Sequence, residues 1–144
     1  MTPPPALLPP TAPPLSAEVA SQLLSLTPAR YISYLIHRGR TASSTQFCKK
    51  TEIESTTYAF IIACIGEGHI TVEAMQEIKS IRPSTFTGCM KDGYISYTET
   101  AQRAINYKPI RHYALTKKGT RAWNRIRPHT LHLINKLKNN IHTA

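Results

Sequence analysis

The 144-residue chain reads as a mainly α fold with a small β-wing, and three observations carry that reading. Between Ile70 and Gly119 lie a short apolar-periodic segment, a segment opened by Pro83, and two strand-like runs, in that order. Upstream, apolar runs repeatedly follow residues that cap helices. The charge is also uneven. Glu99 is the last acidic residue, and ten basic residues follow it: Arg103, Lys108, Arg111, Lys117, Lys118, Arg121, Arg125, Arg127, Lys136 and Lys138. Helix, turn, helix and basic wing together predict a winged helix-turn-helix domain over residues 15–144.

Residues 1–14 hold seven of the eleven prolines. Proline removes amide donors and biases its neighbours away from helix, so this stretch predicts an extended or disordered arm. A passive tail or a peptide for a protein partner fits that composition. Ser16 caps a predicted helix that carries Val19, Ala20, Leu23 and Leu24 and ends near Leu26. Thr27-Pro28 restarts the chain, with Thr27 as cap and Pro28 at the first helical position. Tyr31, Ile32, Tyr34, Leu35 and Ile36 give this helix its apolar side, and Gly39 stops it.

Residues 40–51 are polar and basic except for Phe47 and Cys48, with Ser44 or Thr45 as the start of a short helical turn. The run from Tyr58 to Ile65 is almost continuously apolar and suits either a buried strand or a core helix. Glu52 and Ser55 before it, and Gly66 and Gly68 after it, favour the helix. Thr71 caps the next helix, whose Val72, Met75 and Ile78 repeat at intervals of three. Ser80-Ile81-Arg82 makes the turn, and Pro83 begins the second helix of the pair. Phe86, Cys89 and Met90 face the core. Ser84, Thr85, Thr87 and Lys91 face outward, where short hydroxyl side chains permit close approach to a duplex. In the bland alternative, Ser84 and Thr85 merely cap the first turn. Gly88 inside this helix points to close contact with a neighbouring helix or with nucleic acid, or to a short helix.

Asp92-Gly93 breaks the helix. Tyr94 to Tyr97 and Ile110 to Leu115 then read as two strands, with Tyr94 and Ser96 opposite Ile95 and Tyr97 and a polar loop over residues 98–109. Arg103, Lys108 and Arg111 are the expected wing contacts to backbone or minor groove. Each also fits a solvated surface charge. Thr116 caps a final helix with Ala122, Trp123 and Ile126 on its apolar side. Pro128 marks a kink or division, and Leu131, Leu133, Ile134, Leu137 and Ile141 extend the apolar surface. That surface suits packing back on Leu23 and Leu24 or against another subunit, and because it exceeds what a small wing needs, it favours a homodimer over a monomer.

The net charge of +10 predicts an acidic partner, although charge alone does not separate DNA from RNA or a membrane surface. Cys48, Cys64 and Cys89 are too widely spaced for a zinc pattern or a disulfide framework. They fit a reducing, cytoplasmic or nucleoid-associated setting. The N-terminus lacks the pattern of a secretory leader, and no stretch is long and apolar enough to span a membrane. The six histidines form no metal motif, and no Walker or Rossmann glycine pattern is present, so neither an enzyme nor a cofactor is expected.

The stretch from Ile70 to Gly119 resembles the core of MarR-type transcriptional regulators. The resemblance lies in Ile70-Thr71-Val72-Glu73-Ala74, Pro83-Ser84-Thr85-Phe86-Thr87, Asp92-Gly93-Tyr94-Ile95 and Leu115-Thr116-Lys117-Lys118-Gly119. It implies a symmetric dimer on duplex DNA, joined by terminal helices, with the Ser84 to Lys91 helix in the major groove and the Arg103 to Arg111 wing beside it. Arg82 stands where that family often has an acidic cap, and the family's Asp-x-Arg wing pattern is absent. The expected function is therefore sequence-specific binding of double-stranded DNA in transcription control. The same features also suit a plasmid or phage replication or segregation protein, or a protein-interaction module built on the arm and terminal helix.

Overall fold

Side-chain caps set the start of most helices. A computed structural model describes residues 25–103 and 109–143, so the proline-rich arm, most of the helix expected from Ser16, the packing of Leu23 and Leu24, and Lys108 lie outside the described residues. Helix α1 (Pro28–His37) opens as expected, with the Thr27 hydroxyl accepting from the Arg30 amide and Pro28 in the first turn. A second acceptor sits at the same end: the Glu67 carboxylate takes the Ala29 amide at 2.7 Å. Gly39 follows the C-cap Arg38.

Helix α2 (Ala42–Thr51) begins earlier and runs longer than the expected turn. Thr41, not Ser44 or Thr45, is its cap. Ser44 is the other half of a capping box: the Thr41 hydroxyl takes the Ser44 amide at 3.2 Å, and Ser44 Oγ takes the Thr41 amide at 3.0 Å. Two reciprocal bonds satisfy two donors that the helix cannot pair itself.

The apolar run from Tyr58 to Ile65 is helical, within α3 (Thr56–Gly66), capped by Ser55. Every residue from Ala59 to Ile65 is buried. A helix apolar on all sides must be surrounded, and α3 is in contact with α1, with β2 (Pro109–Leu115), and with the two helices α5 (Pro83–Lys91) and α6 (Lys117–Thr143). Helix α4 (Val72–Gln76) is only five residues long, with Thr71 as its cap. Met75 is fully buried, whereas Ile78 lies beyond the helix end and only partly packs on the core.

Strand β1 (Ile95–Arg103) pairs antiparallel with β2. It is longer than expected, because residues 98–103 belong to the strand rather than to the loop. The register places Tyr97 opposite Tyr113, Glu99 opposite Arg111 and Arg103 opposite Pro109, with an irregularity between Glu99 and Arg103. The expected alternation also fails at its first residue. Tyr94 precedes the strand, and its amide returns to Cys89 O at the end of α5. Tyr94 and Ile95 are therefore both buried. The Tyr94 hydroxyl donates to Glu54, at 2.6 Å to one carboxylate oxygen.

Helix α6 is continuous across Pro128. Ala122, Ile126, Ile134 and Leu137 are buried within the same chain. Its stripe packs on α1, α2 and α3. Arg125 fastens it further by donating from Nε to Thr51 O at 2.9 Å, at the C-terminal end of α2 where a cation is favoured. Among the described residues, no helix is long and apolar enough to cross a membrane.

Candidate nucleic-acid interface

Helix α5 has a buried side and a polar side. Phe86 and Cys89 point into the core, while Arg82, Pro83, Ser84, Thr87 and Lys91 are exposed and Thr85 is half-buried. Arg82 occupies the N-cap position, but no side chain caps the helix there. Arg82 and the exposed Ser84 hydroxyl thus lie at one end of the helix, with Lys91 at the other, while the Thr85 amide is already taken by Arg82 O at 3.0 Å. The Thr87 hydroxyl donates back to Pro83 O at 3.3 Å, which leaves its oxygen lone pairs facing outward. Gly88 serves packing. A Cβ there would come within 2.5 Å of the Tyr58 hydroxyl on α3.

An aromatic ladder joins α5 to the strands. The Phe86 and Tyr113 rings lie 5.5 Å apart, Tyr113 and Tyr97 lie 5.8 Å apart, and the Arg111 guanidinium sits 4.1 Å over the Tyr97 ring. Each step has the tilted or cation–π geometry that favours such contacts. Arg111 is therefore held at a fixed place relative to α5. Among the described residues, Tyr97 is one of two large apolar side chains left exposed, at 38%.

The two-stranded hairpin is less positive than its sequence suggests. Arg111 Nε lies 3.6 Å from a Glu99 oxygen. A hydrogen bond to Tyr113 and the field of Glu99 hold the Arg111 pKa above its ordinary value, so the group stays charged but is partly neutralised. Lys118 and Arg125 are also engaged. Lys118 Nζ donates to Asp92 O at 2.7 Å and sits over the Tyr94 ring, and Arg125 is tied to Thr51. Arg103 is placed on the backbone at the far end of β1, opposite Pro109.

The sequence quartet after β2 now has a physical account. Thr116 Oγ1 donates to Gly93 O and accepts the Gly119 amide at 3.1 Å. Gly119 has no side chain because a Cβ would collide with Tyr94 O at 2.0 Å. These contacts lock the start of α6 against the end of α5. The residues missed from sequence are the ladder tyrosines and Glu99. The signal was present in the cross-strand positions, but the register that pairs them was not.

No family model, curated protein or solved structure matches this chain.

Among the described residues, no group of His, Cys, Asp and Glu could hold a metal ion. Cys64 and Cys89 are buried, and that burial pushes each thiol up to about 12, far from a reactive thiolate. Arg82, Ser84, Thr85, Thr87 and Lys91 share one helix, and Arg111 is coupled to it through the ladder.

Proposed function

We propose that the chain is a non-enzymatic, sequence-specific binder of double-stranded DNA, built as a winged helix-turn-helix resembling MarR-type regulators and acting in transcription control. The observation that carries this reading is the ladder from Phe86 through Tyr113 and Tyr97 to Arg111. It couples an exposed, hydroxyl-rich helix to a cation on the wing, as one rigid surface would require. A further hydrogen bond favours it: the Tyr113 amide donates to Ile70 O at 2.8 Å, tying the strand to the segment just before α4. In this reading α4 supports, α5 enters the major groove, and the wing follows the adjacent backbone. Ser84, Thr85 and Thr87 meet base edges or phosphates, while Arg82, Lys91, Arg103, Lys108 and Arg111 supply salt-dependent affinity.

A homodimer enters the proposal under a constraint. Ile126, Ile134 and Leu137 are committed to the chain's own core, so two copies must meet through other residues.

The test is selection of bound fragments from a duplex library, followed by fluorescence anisotropy on the recovered sequence and a shuffled control across salt. Tight binding to the selected site, at least about a thousandfold over the shuffled duplex, is expected of a specific binder. A two-fold-symmetric site identifies the dimer. Equal, weak and salt-steep binding to both duplexes reduces the function to general DNA coating. No duplex binding at all moves the protein-interaction reading to first place.

A further inference from the structure

A groove of about 630 Å³ runs between α1, α2 and α6, and none of its lining residues is a carboxylate. Three cations reach it from three places: Arg38 just after α1, Lys50 in the last turn of α2, and Lys136 on α6. None of the three lies within ion-pair distance of a carboxylate among the described residues. His129 and His132, one helical turn apart on α6, face the same space. Buried Tyr31, Leu35 and Phe47 form an apolar floor. Tyr34 stands at one side with the Arg38 guanidinium 5.7 Å above its ring. Ser43 and Gln46 add hydrogen-bonding groups.

We propose that this groove binds a phosphorylated small molecule with a planar apolar body, of the nucleoside phosphate class. The charge count favours a polyanion. Three exposed cations and two histidines converge with no acid among the lining residues. A monoanion would leave most of that repulsion uncompensated, whereas a chain of phosphates answers several cations at once. Half-buried Tyr34 and Leu133 leave apolar surface that a ring can cover, and the volume lies in the ordinary range for small-molecule sites. His129 registers the field already. Burial, then His132, then Lys50 hold its pKa below the ordinary value. A phosphate bound beside the ring opposes the two charge effects and draws a proton toward it. The other ionisable groups around it are Arg38, Tyr31 and Tyr34 from α1 and Lys136 from α6. The site uses none of the residues assigned to DNA and stands or falls separately.

The full chain is titrated with ADP, pyrophosphate and adenosine by isothermal calorimetry. ADP should bind more tightly than either fragment. The Lys50→Gln/Lys136→Gln double variant should weaken ADP by at least about tenfold, from the loss of two charge-assisted contacts. Lys117→Gln/Arg121→Gln, a charge-matched change outside the groove, should leave it within about twofold. Proton NMR of His129 should show its pKa rising when ADP saturates the site. The proposal is overturned if ADP does not bind at millimolar concentration, if pyrophosphate binds as tightly as ADP, or if both double variants weaken it equally. It is also overturned if the groove variant loses duplex affinity in step with ADP, since the groove would then belong to a nucleic-acid surface.

Discussion

Gly88 shows how one position can be read two ways until its neighbour is known. Glycine inside a helix costs up to about 1 kcal/mol against alanine. Its retention here is explained by the Tyr58 hydroxyl, which a Cβ would approach to 2.5 Å, while the ring carbons behind it stay at 3.5 Å and beyond. Tyr58 cannot simply swing aside. Its ring meets Tyr94 edge-on at 6.0 Å, and that packing resists the movement. Gly88→Ala alone should therefore be destabilising by about 1 kcal/mol, the overpacking penalty exceeding the gain in helix propensity. In a Tyr58→Phe background the same change should stabilise by about 0.5–1 kcal/mol. Urea unfolding of the four proteins of the cycle measures both numbers. The same sign of effect in both backgrounds would show that the hydroxyl is not the reason for the glycine.

At the scale of elements, caps and punctuation carried most of the information. Thr27-Pro28, Ser55, Thr71, Pro83 and Asp92-Gly93 mark boundaries through local hydrogen bonding and backbone restriction, and local physics is visible in a sequence. The misplaced start of α2 has the same origin: Thr41 and Ser44 are both good caps, and only the reciprocal bond separates them. The wing was less legible. Its strand limits and the Glu99–Arg111 pairing depend on register, which two distant segments fix jointly. This pairing makes a specific prediction. Glu99 pairs with Arg111, and on the proposed DNA-binding reading it would also repel a phosphate there. Glu99→Gln should therefore tighten duplex binding by about threefold to tenfold at low salt, with the gain shrinking as salt rises. Anisotropy against the selected duplex reads it. Unchanged or weaker binding would place Arg111 away from the phosphates. Tyr97→Ala should lower affinity by removing the platform under Arg111, with circular dichroism showing the helices intact.

Across the whole molecule, charge was the easiest property to count and the hardest to assign. The +10 total treats every cation alike. Lys118 and Arg125 are fasteners between elements, Arg111 is shared with Glu99, and Arg38, Lys50 and Lys136 converge on a groove that no sequence pattern announced. That groove was hidden because its residues come from three separate helices. Its pH behaviour follows from His129. A histidine whose folded pKa is depressed binds protons more readily in the unfolded chain, so its full contribution to stability is present above the unfolded value, about 6.5. That contribution is lost as pH falls from there toward the lower folded value. His129→Gln should accordingly flatten the acid side of the stability profile in urea unfolding, and an unchanged profile would show that His129 contributes nothing to it.

On the proposed DNA-binding reading, the same division of cations sets a salt dependence. If Arg82, Lys91, Arg103, Lys108 and Arg111 each neutralise a phosphate, the logarithm of affinity should fall against the logarithm of salt with a slope of roughly −4 to −5. Arg103→Ala/Lys108→Ala should bring that slope closer to zero by roughly 2 and weaken selected and shuffled duplexes alike, since phosphate contacts carry no sequence information. Ser84→Ala/Thr87→Ala should do the reverse, reducing discrimination between the duplexes with little change in slope. Lys50→Gln/Lys136→Gln should move neither quantity. Measured together by anisotropy at several salt concentrations, the three double variants test separately whether residues 103 and 108 hold the backbone, whether α5 reads the bases and whether the groove serves another ligand. A wing variant with an unchanged slope would remove residues 103 and 108 from the interface, whatever the α5 variant does.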